Sequence, residues 1–236
     1  MSSESVARRL ALIRERVAEA ALRKGRRPEE VKILGASKAQ PPEKIREAVE
    51  AGLEILGENY VQEAEKKKTL LSDLPVSWHL IGYLQKNKAR KALQLFDLIQ
   101  TVDRPEIAQR LSRLAREMGR TLPVFIEVNL GGEETKAGIP PEKLLDLVRL
   151  VKDLPALDLR GLMTIPPYSP DPEDSRKFFR KLRELKEQIE DLYELTQPLE
   201  LSMGMSHDYE VAVEEGATVI RIGTALFGPR PPKGGA

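Results

Sequence analysis

The chain has 236 residues, a formal net charge of +1 and no cysteine. A near-neutral charge and only 5% aromatic residues argue against a nucleic-acid or anionic-membrane surface. The absence of cysteine excludes disulfides, thiolate metal sites and cysteine nucleophiles. No apolar run approaches the roughly 20 residues that span a bilayer, and the N-terminus is unlike a signal peptide. We therefore expect a cytoplasmic protein that binds neither nucleic acid nor membrane.

Short apolar runs recur from residue 31 to the end of the chain. Their length and near-continuous apolar character are typical of parallel strands that are buried on both faces. The predicted strands are 31–37, 54–58, 77–82, 98–102, 123–129, 159–165, 200–205 and 218–223.

Helical patterns lie between these strands. In 104–118, Asp103 is a plausible N-cap, Pro105 stands in the first turn and Gly119 follows as a stop signal. Two further helices are predicted at 141–153 and 173–195. Their apolar faces are Leu144, Leu145, Val148 and Val151 in the first, and Phe178, Leu182, Leu185 and Ile189 in the second.

The alternation of strands and helices predicts a single (β/α)₈ barrel, a TIM barrel, over residues 1–228. An extra helix at about 4–23 precedes the first strand, and its apolar stripe is expected to pack on the barrel. An open, doubly wound sheet is the alternative. The tail, 229–236, has too little apolar surface to order itself, so we expect it to be disordered.

Lys38 is the most informative residue. It follows the first predicted strand, which Pro41 and Pro42 prevent from continuing. A lysine at the centre of a fold is costly to bury unless its amine has a use. The plainer alternative is a lysine whose stem lies along the strand end while its ammonium group reaches water.

Polar residues after the last two predicted strands suggest a phosphate site. Barrels of this class often bind phosphate through the loops after strands seven and eight. Ser206 is expected to open a helix there, and Gly223 and Thr224 offer backbone and hydroxyl donors. Alternatively, Ser206 only caps that helix and Gly223 only turns the chain.

Arg221 lies within the last predicted strand, where side chains alternate between the two faces. Ile220 and Ile222 would face the helices, so Arg221 would point into the barrel. An arginine beside a pyridine nitrogen would keep that nitrogen unprotonated, because arginine does not give up its proton in proteins. With Lys38 and the phosphate site, it suggests a Schiff base with pyridoxal phosphate.

Other strand-end residues are weaker candidates. His79 could act in acid–base catalysis, but a hydrogen-bonded core histidine is favoured. Lys136 could be a second amine in a lid, although a solvated loop is the plainer interpretation. No histidine–carboxylate spacing predicts a metal site. The remaining polar residues at predicted strand ends are Glu58, Asn59, Asp103, Asn129 and Thr164.

The ordered set of motifs resembles the pyridoxal phosphate homeostasis protein family over about residues 5–228. No single motif carries the resemblance. The matching stretches are Ala36-Ser37-Lys38, Leu56 to Glu63, Trp78 to Lys88, Thr101-Val102-Asp103, Val128 to Gly138, Gly161 to Ile165 and Leu201 to Phe227.

This resemblance implies a barrel similar to the N-terminal domain of alanine racemase, with a Schiff base at Lys38. It also implies that Arg221 faces the pyridine nitrogen. By the same likeness, the phosphate is held by Ser206, Gly223 and Thr224, and the ring is lined by Asn59 and Met203. The chain departs from the family pattern at Ala39-Gln40 and at Tyr83, and the second departure removes any histidine role at that position.

Family members are known as cofactor-binding regulators of vitamin B6 and amino-acid balance, without an established catalytic activity. We therefore expect a monomer that carries pyridoxal phosphate to apo-enzymes and has no established catalytic residue. The chain ends soon after the last strand, which leaves no room for the second domain of alanine racemase.

Two alternatives remain open. The first is an amino-acid racemase or another enzyme that exchanges the α-proton, motivated by Arg221 and with Tyr60, His79, Tyr83 and Tyr168 as candidate acids. The second is a barrel that binds some other phosphorylated metabolite and forms no Schiff base.

Overall fold

The structure, a computed structural model, describes residues 4–133, 135–195 and 197–230. Eight parallel strands close into a barrel in chain order, and the last strand pairs with the first. The strands are β1 (Lys32–Ala36), β2 (Ile55–Glu58), β3 (Ser77–Leu80), β4 (Leu98–Val102), β5 (Leu122–Glu127), β6 (Leu157–Met163), β7 (Glu200–Ser202) and β8 (Val219–Ile222). The barrel prediction is confirmed, and the open sheet is excluded because β1 and β8 are hydrogen-bonded.

The helices surround this barrel, and short 3₁₀ turns precede several of them. The helices are α1 (Val6–Arg23), α2 (Pro42–Glu50), α3 (Val61–Leu70), α4 (Ala89–Leu95), α5 (Pro105–Glu117), α6 (Leu144–Asp153), α7 (Arg176–Tyr193), α8 (Tyr209–Glu214) and α9 (Thr224–Phe227). Of the tail predicted to be disordered, residues 231–236 lie outside the described residues.

The predicted extra helix is α1. Ser5 caps its first turn, because its side chain accepts a hydrogen bond from the Arg8 amide. The stripe of Val6, Leu10, Ile13 and Val17 is buried, and α1 packs against α2, α8 and α9. It therefore covers the barrel where the last and first strands meet.

Two apolar layers divide the interior. The larger one lies between the strands and the helices, and the smaller one fills the centre of the barrel. The central layer consists of Leu34, Ile55, Ile81, Leu98, Phe125, Met163 and Val219. Because side chains alternate along each strand, this layer shows which positions point inward.

Several predicted strands extend too far. The seventh was predicted to reach residue 205, but β7 ends at Ser202 and Gly204 has a φ of +95°. The Gly204 carbonyl still accepts a hydrogen bond from the Arg221 amide of β8 at 2.9 Å, and the left-handed conformation of Gly204 turns the chain away beyond that point. The sixth was predicted to reach residue 165, but β6 ends at Met163; it also begins earlier than predicted, at Leu157, because Leu157 pairs with Leu122 of β5.

The prediction that Asp103 caps α5 is wrong. Arg104 immediately precedes Pro105, the first residue of the helix, and no side chain caps this end. Asp103 lies one residue too early, and its Oδ2 accepts a hydrogen bond from the Gly138 amide at 3.3 Å instead. The predicted stop is confirmed in position, since α5 ends at Glu117 and Gly119 has a φ of +64°.

One residue differs in each of two predicted buried faces, and the other three residues of each face are buried as predicted. In α7 the buried aromatic residue is Phe179, whereas Phe178 is half-buried with Lys177 over its ring at 5.1 Å. In α6 the buried position is Leu147, and Leu145 is half-buried. Successive helical residues are about 100° apart, so a small error in phase exchanges neighbouring residues.

The two neighbouring phenylalanines provide a matched test of this packing. Phe179→Ala should lower the free energy of unfolding by about 3–5 kcal/mol, because it opens a cavity in the core. Phe178→Ala should cost less than half as much. Denaturant unfolding of both variants measures the difference, and equal losses would contradict the assigned face.

Candidate functional site

Lys38 reaches the mouth of the barrel at the carboxyl end of β1. Leu34 belongs to the central layer and Ala36 packs against it, so strand alternation turns Lys38 inward as well. The side chain is half-buried. Its Nζ donates a hydrogen bond to the Tyr60 hydroxyl at 3.3 Å and lies 4.8 Å from the centre of that ring.

Arg221 points into the barrel as predicted and is only 3% exposed. Its Nη1 donates to the Ser202 hydroxyl at 2.8 Å, and its Nη2 donates to the Thr164 carbonyl at 2.9 Å. Burial lowers the pKa of Arg221 to about 10, against the opposing effect of Glu127 and Asp208. The guanidinium therefore stays charged near neutral pH and is held by neutral oxygens.

A chain of buried hydrogen bonds continues from Arg221 across the barrel. The Ser202 hydroxyl donates to Gln100 Oε1 at 2.5 Å, and Gln100 Nε2 lies 3.0 Å from His79 Nδ1. Burial lowers the pKa of His79 to about 4, so the ring is neutral and Nδ1 can accept. Every donor then points away from Arg221, and the favoured interpretation of His79 as a hydrogen-bonded core residue fits this arrangement.

Sequence reasoning missed Gln100 and Ser202. Each is a polar residue in a buried stretch of strand, at a position that alternation turns inward. That signal was available in the sequence. Their partnership was not, because the two residues are 102 positions apart.

Glu127 was also missed. It ends β5, is 5% exposed, and shares the barrel interior with Arg221. Burial, reinforced by the charge of Asp103, raises the pKa of Glu127 to about 7, although Arg221 opposes the rise. A carboxyl group that titrates near neutral pH inside a barrel is a functional candidate.

The loops after β7 and β8 meet at the same mouth. The prediction that Ser206 opens a helix is wrong, because α8 begins at Tyr209. Ser206 Oγ instead accepts a hydrogen bond from the Ala225 amide at 3.1 Å, in the first turn of α9. Ser206 is thereby brought next to Gly223 and Thr224, whose side chain is exposed.

Gly223 also lies beside the end of β1. A methyl group built on it would stand 3.5 Å from the Ala36 carbonyl oxygen, an ordinary contact distance. The structure thus brings the loops after β7 and β8 to the strand that carries Lys38.

The two predicted ring-lining residues lie differently. Asn59 follows β2 and is half-buried. Its backbone carbonyl packs so closely on Gly82 that a Cβ atom at position 82 would overlap the carbonyl oxygen. Met203 is fully buried in the layer between strands and helices, as expected when Ser202 beside it points inward. The structure does not bring Met203 into the polar set, and its contact with a cofactor ring remains a prediction.

The loop after β5 is tied down by Asn129. Its side chain donates to the Glu133 carbonyl at 2.9 Å and accepts from the Gly132 amide at 3.1 Å. Lys136 is exposed and pairs with Glu133 at 2.5 Å.

Within the described ranges, no group of three or more histidine, aspartate or glutamate side chains could hold a metal ion. Over the same ranges, no helix is both long enough and apolar enough to cross a membrane.

Comparisons with known proteins decide the family. The sequence profile described as "Alanine racemase, N-terminal domain" matches residues 13–231. A "Pyridoxal phosphate homeostasis protein" of Aquifex aeolicus is 50% identical over 94% of this chain and 97% of its own length. The chain belongs to the pyridoxal phosphate homeostasis protein family. The corresponding protein of Pseudomonas aeruginosa is 46% identical over 96% of each chain.

Solved structures agree with the fold. PipY of Synechococcus elongatus, solved with PLP bound, is 41% identical, with a TM-score of 0.81 over 92% of this chain and 100% of that chain. An alanine racemase of Clostridium difficile is 17% identical, with a TM-score of 0.71 over 93% of this chain and 56% of that chain. At this identity, the second likeness shows the fold alone.

Glu127 gives a prediction for stability against pH. Its pKa is about 7 in the folded protein against a usual 4.5, so the folded state holds the extra proton between these values. The stabilisation is complete below pH 4.5 and is lost as the pH rises through 7. Glu127→Gln should therefore gain about 2–3 kcal/mol relative to wild type between pH 4.5 and 8.

Denaturant unfolding of both proteins across this range measures that difference. His79 has the opposite effect, because its depressed pKa lowers the stability as the pH falls from 6.5 towards 4. This effect is the same in both proteins, so it cancels in the difference between them. Glu142→Gln, at an exposed position, is the control and should follow the wild type. Parallel curves for Glu127→Gln and wild type would refute the shifted pKa.

Proposed function

We propose that this protein binds pyridoxal phosphate at the carboxyl end of the barrel, as a Schiff base on Lys38, and supplies it to apo-enzymes. The observation that carries the proposal is the meeting of Lys38, the buried Arg221 and the Ser206–Ala225 contact at one mouth. The identity with pyridoxal phosphate homeostasis proteins and with PipY, solved with PLP bound, supports it.

The residues fit the group. Pyridoxal phosphate supplies an aldehyde that condenses with a primary amine, forming a C=N bond and releasing one water. Lys38 offers that amine. The hydroxyls of Ser206 and Thr224 and the backbone at Gly223 would hold the phosphate, and Arg221 would face the pyridine nitrogen.

Arg221 is compatible with carriage of the cofactor and with α-proton exchange such as racemisation. Its Nη1 and Nη2 are committed to Ser202 and Thr164, which fixes the guanidinium plane. A charged donor held in this way can give a hydrogen bond to a pyridine nitrogen but not a proton. The ring then withdraws electrons weakly, and negative charge at a substrate carbon gains little stabilisation.

One contact favours the alternative, an enzyme that exchanges the α-proton of amino acids. The Tyr60 hydroxyl lies 3.3 Å from Lys38 Nζ and could share proton transfer with it. Racemisation, however, requires two groups on opposite faces of one carbon. Because Tyr60 and Lys38 are in contact, they would address the same face.

The other candidate acids are no better placed. His79 is buried and is bonded to Gln100. Tyr83 is 54% exposed beneath the Arg104 guanidinium, and Tyr168 is 80% exposed beside the His207 ring. We therefore propose no catalytic residue.

Borohydride trapping tests the Schiff base. Reduction of the loaded protein, followed by peptide mapping, should place the label on Lys38. Lys38→Ala should abolish it while changing the free energy of unfolding by no more than about 1 kcal/mol, since the side chain makes one hydrogen bond at a half-exposed position. Lys136→Ala, at an exposed loop position, is the control and should keep the label.

Supply to apo-enzymes is tested by transfer. The loaded protein is mixed with an apo-transaminase in the presence of a scavenger for free pyridoxal phosphate. Activity should return several-fold faster than with an equal amount of free cofactor. Recovery at the rate of spontaneous release would argue against delivery. Lys38-dependent deuterium exchange at the α-carbon of amino acids would instead favour the enzyme.

A further inference from the structure

A cluster of charged side chains lies behind Lys38, on the helix side of the barrel wall. Lys67 of α3 is almost buried, with 8% of its side chain exposed. Its ammonium group donates to the Ser37 carbonyl, to Glu58 Oε1 at 2.6 Å and to Glu63 Oε1 at 2.7 Å. All three of its donors are therefore engaged.

The two glutamates complete the cluster. Glu58 Oε1 also accepts the Ser37 hydroxyl at 2.6 Å, and Glu63 Oε1 accepts the Ala39 amide at 2.5 Å. The carbonyl on one side of Lys38 and the amide on the other are thus both fixed. Together these bonds restrain the backbone torsions at Lys38 itself.

The restrained segment is conformationally unusual. Ala39 has a φ of +57°, a left-handed value that is unfavourable for a residue with a Cβ. Such a conformation persists only where the surroundings over-determine it, and such sites are frequently functional. Here two hydrogen bonds hold it: the Ala39 amide donates to Glu63 Oε1, and the Gln40 amide donates to the Ser37 carbonyl at 3.0 Å, which closes a turn over Ala39.

Stability alone explains this cluster poorly. Glu58 is fully buried, and its Oε2 finds no hydrogen-bond partner among the described residues. Burying an ion pair usually gains no more than well-packed apolar side chains would. Glu58 Oε2 therefore lacks a hydrogen bond among the described residues, whereas Glu58 Oε1 accepts from both Ser37 and Lys67.

We propose that Glu58, Glu63 and Lys67 form a positioning cluster, which holds the backbone so that the Lys38 amine points at the cofactor aldehyde. The cluster touches the backbone from the outer face, whereas the Lys38 side chain leaves on the inner face. It acts through the main chain without contacting the cofactor. This inference rests on the proposed Schiff base at Lys38.

Glu63→Ala is the decisive variant, because it frees the Ala39 amide but leaves the buried pair of Glu58 and Lys67 intact. Glu65→Ala is the matched control. Glu65 lies on the same helix, and its carboxylate forms an ion pair of similar length, 2.6 Å, with Lys91 of α4 instead of with Lys67. Glu63→Gln is the conservative variant, because its amide oxygen can still accept from Ala39.

Two readouts are compared. The first is the rate at which Lys38 becomes trappable by borohydride after mixing with pyridoxal phosphate. Misplacing a reacting group by about 1 Å can cost about 100-fold, so Glu63→Ala should be at least about ten-fold slower. The second is hydrogen exchange at the Ala39 amide in the cofactor-free protein, which should be faster in this variant.

Glu65→Ala should match wild type in both readouts, and Glu63→Gln should recover most of the trapping rate. Removing the buried pair in Lys67→Met/Glu58→Gln should slow trapping in the same way, with Lys68→Met on the same helix as its control.

The outcomes separate the two proposals. Wild type labelled at Lys38, with Glu63→Ala unchanged in trapping rate, would overturn the positioning role alone. Wild type labelled elsewhere, or not at all, would overturn the Schiff base and the positioning role with it. Hydrogen exchange at Ala39 still reports in that case whether the cluster restrains the backbone.

Discussion

A cation inside a closed barrel is the constraint on which the rest of this site depends. Arg221 cannot shed its charge, so its burial must be offset by oxygens that are already in place. Ser202 and Thr164 supply them from β7 and from the end of β6. The buried Ser202 hydroxyl accepts from Arg221 and donates its own proton to Gln100 on β4, so that neither function of the hydroxyl is left unpaired. Closure of the sheet in this register and the orientation of the guanidinium therefore require each other.

The inner and outer faces of the barrel wall carry side chains with different roles. On the inner face, Lys38 and Arg221 project from neighbouring strands towards the mouth, above an apolar layer that excludes water from the centre. On the outer face, Glu58 and Lys67 hold the chain that carries Lys38. Strand alternation makes this division possible, because adjacent residues on one strand serve opposite faces.

Much of this could be predicted from the sequence. The apolar runs predicted the barrel, and the position of Lys38 after the first run marked it as a candidate for the site. Strand alternation predicted that Arg221 points into the barrel. These inferences succeed because each depends on a local pattern with a fixed period. The predictions that helices start at Asp103 and at Ser206 were wrong for a related reason. A helix start is set within one residue by backbone geometry, here by Pro105 after Arg104 and by Asp208 before Tyr209.

The partnerships could not be predicted. Gln100, Ser202, Glu127 and Lys67 are each visible as polar residues in or beside apolar segments, but nothing local shows what they contact. Lys67 resembles its neighbours Lys66 and Lys68 in sequence, and only the packing of α3 against β2 and the segment after β1 buries one of the three. The raised pKa of Glu127 could not be predicted either, because it is caused by burial and burial depends on the assembled barrel.

The proposed carriage of a reactive aldehyde sets requirements that differ from those of catalysis. A carrier needs a firm grip on the phosphate and ring, a reversible bond to one amine, and access for another protein. Tyr60, Tyr83 and Tyr168 are exposed and would be accessible to such a partner. An enzyme would need the opposite, a closed site with a second base across from Lys38. The exposed tyrosines and the contact of Tyr60 with the lysine support the proposed carriage, whereas the fixed guanidinium is compatible with either function.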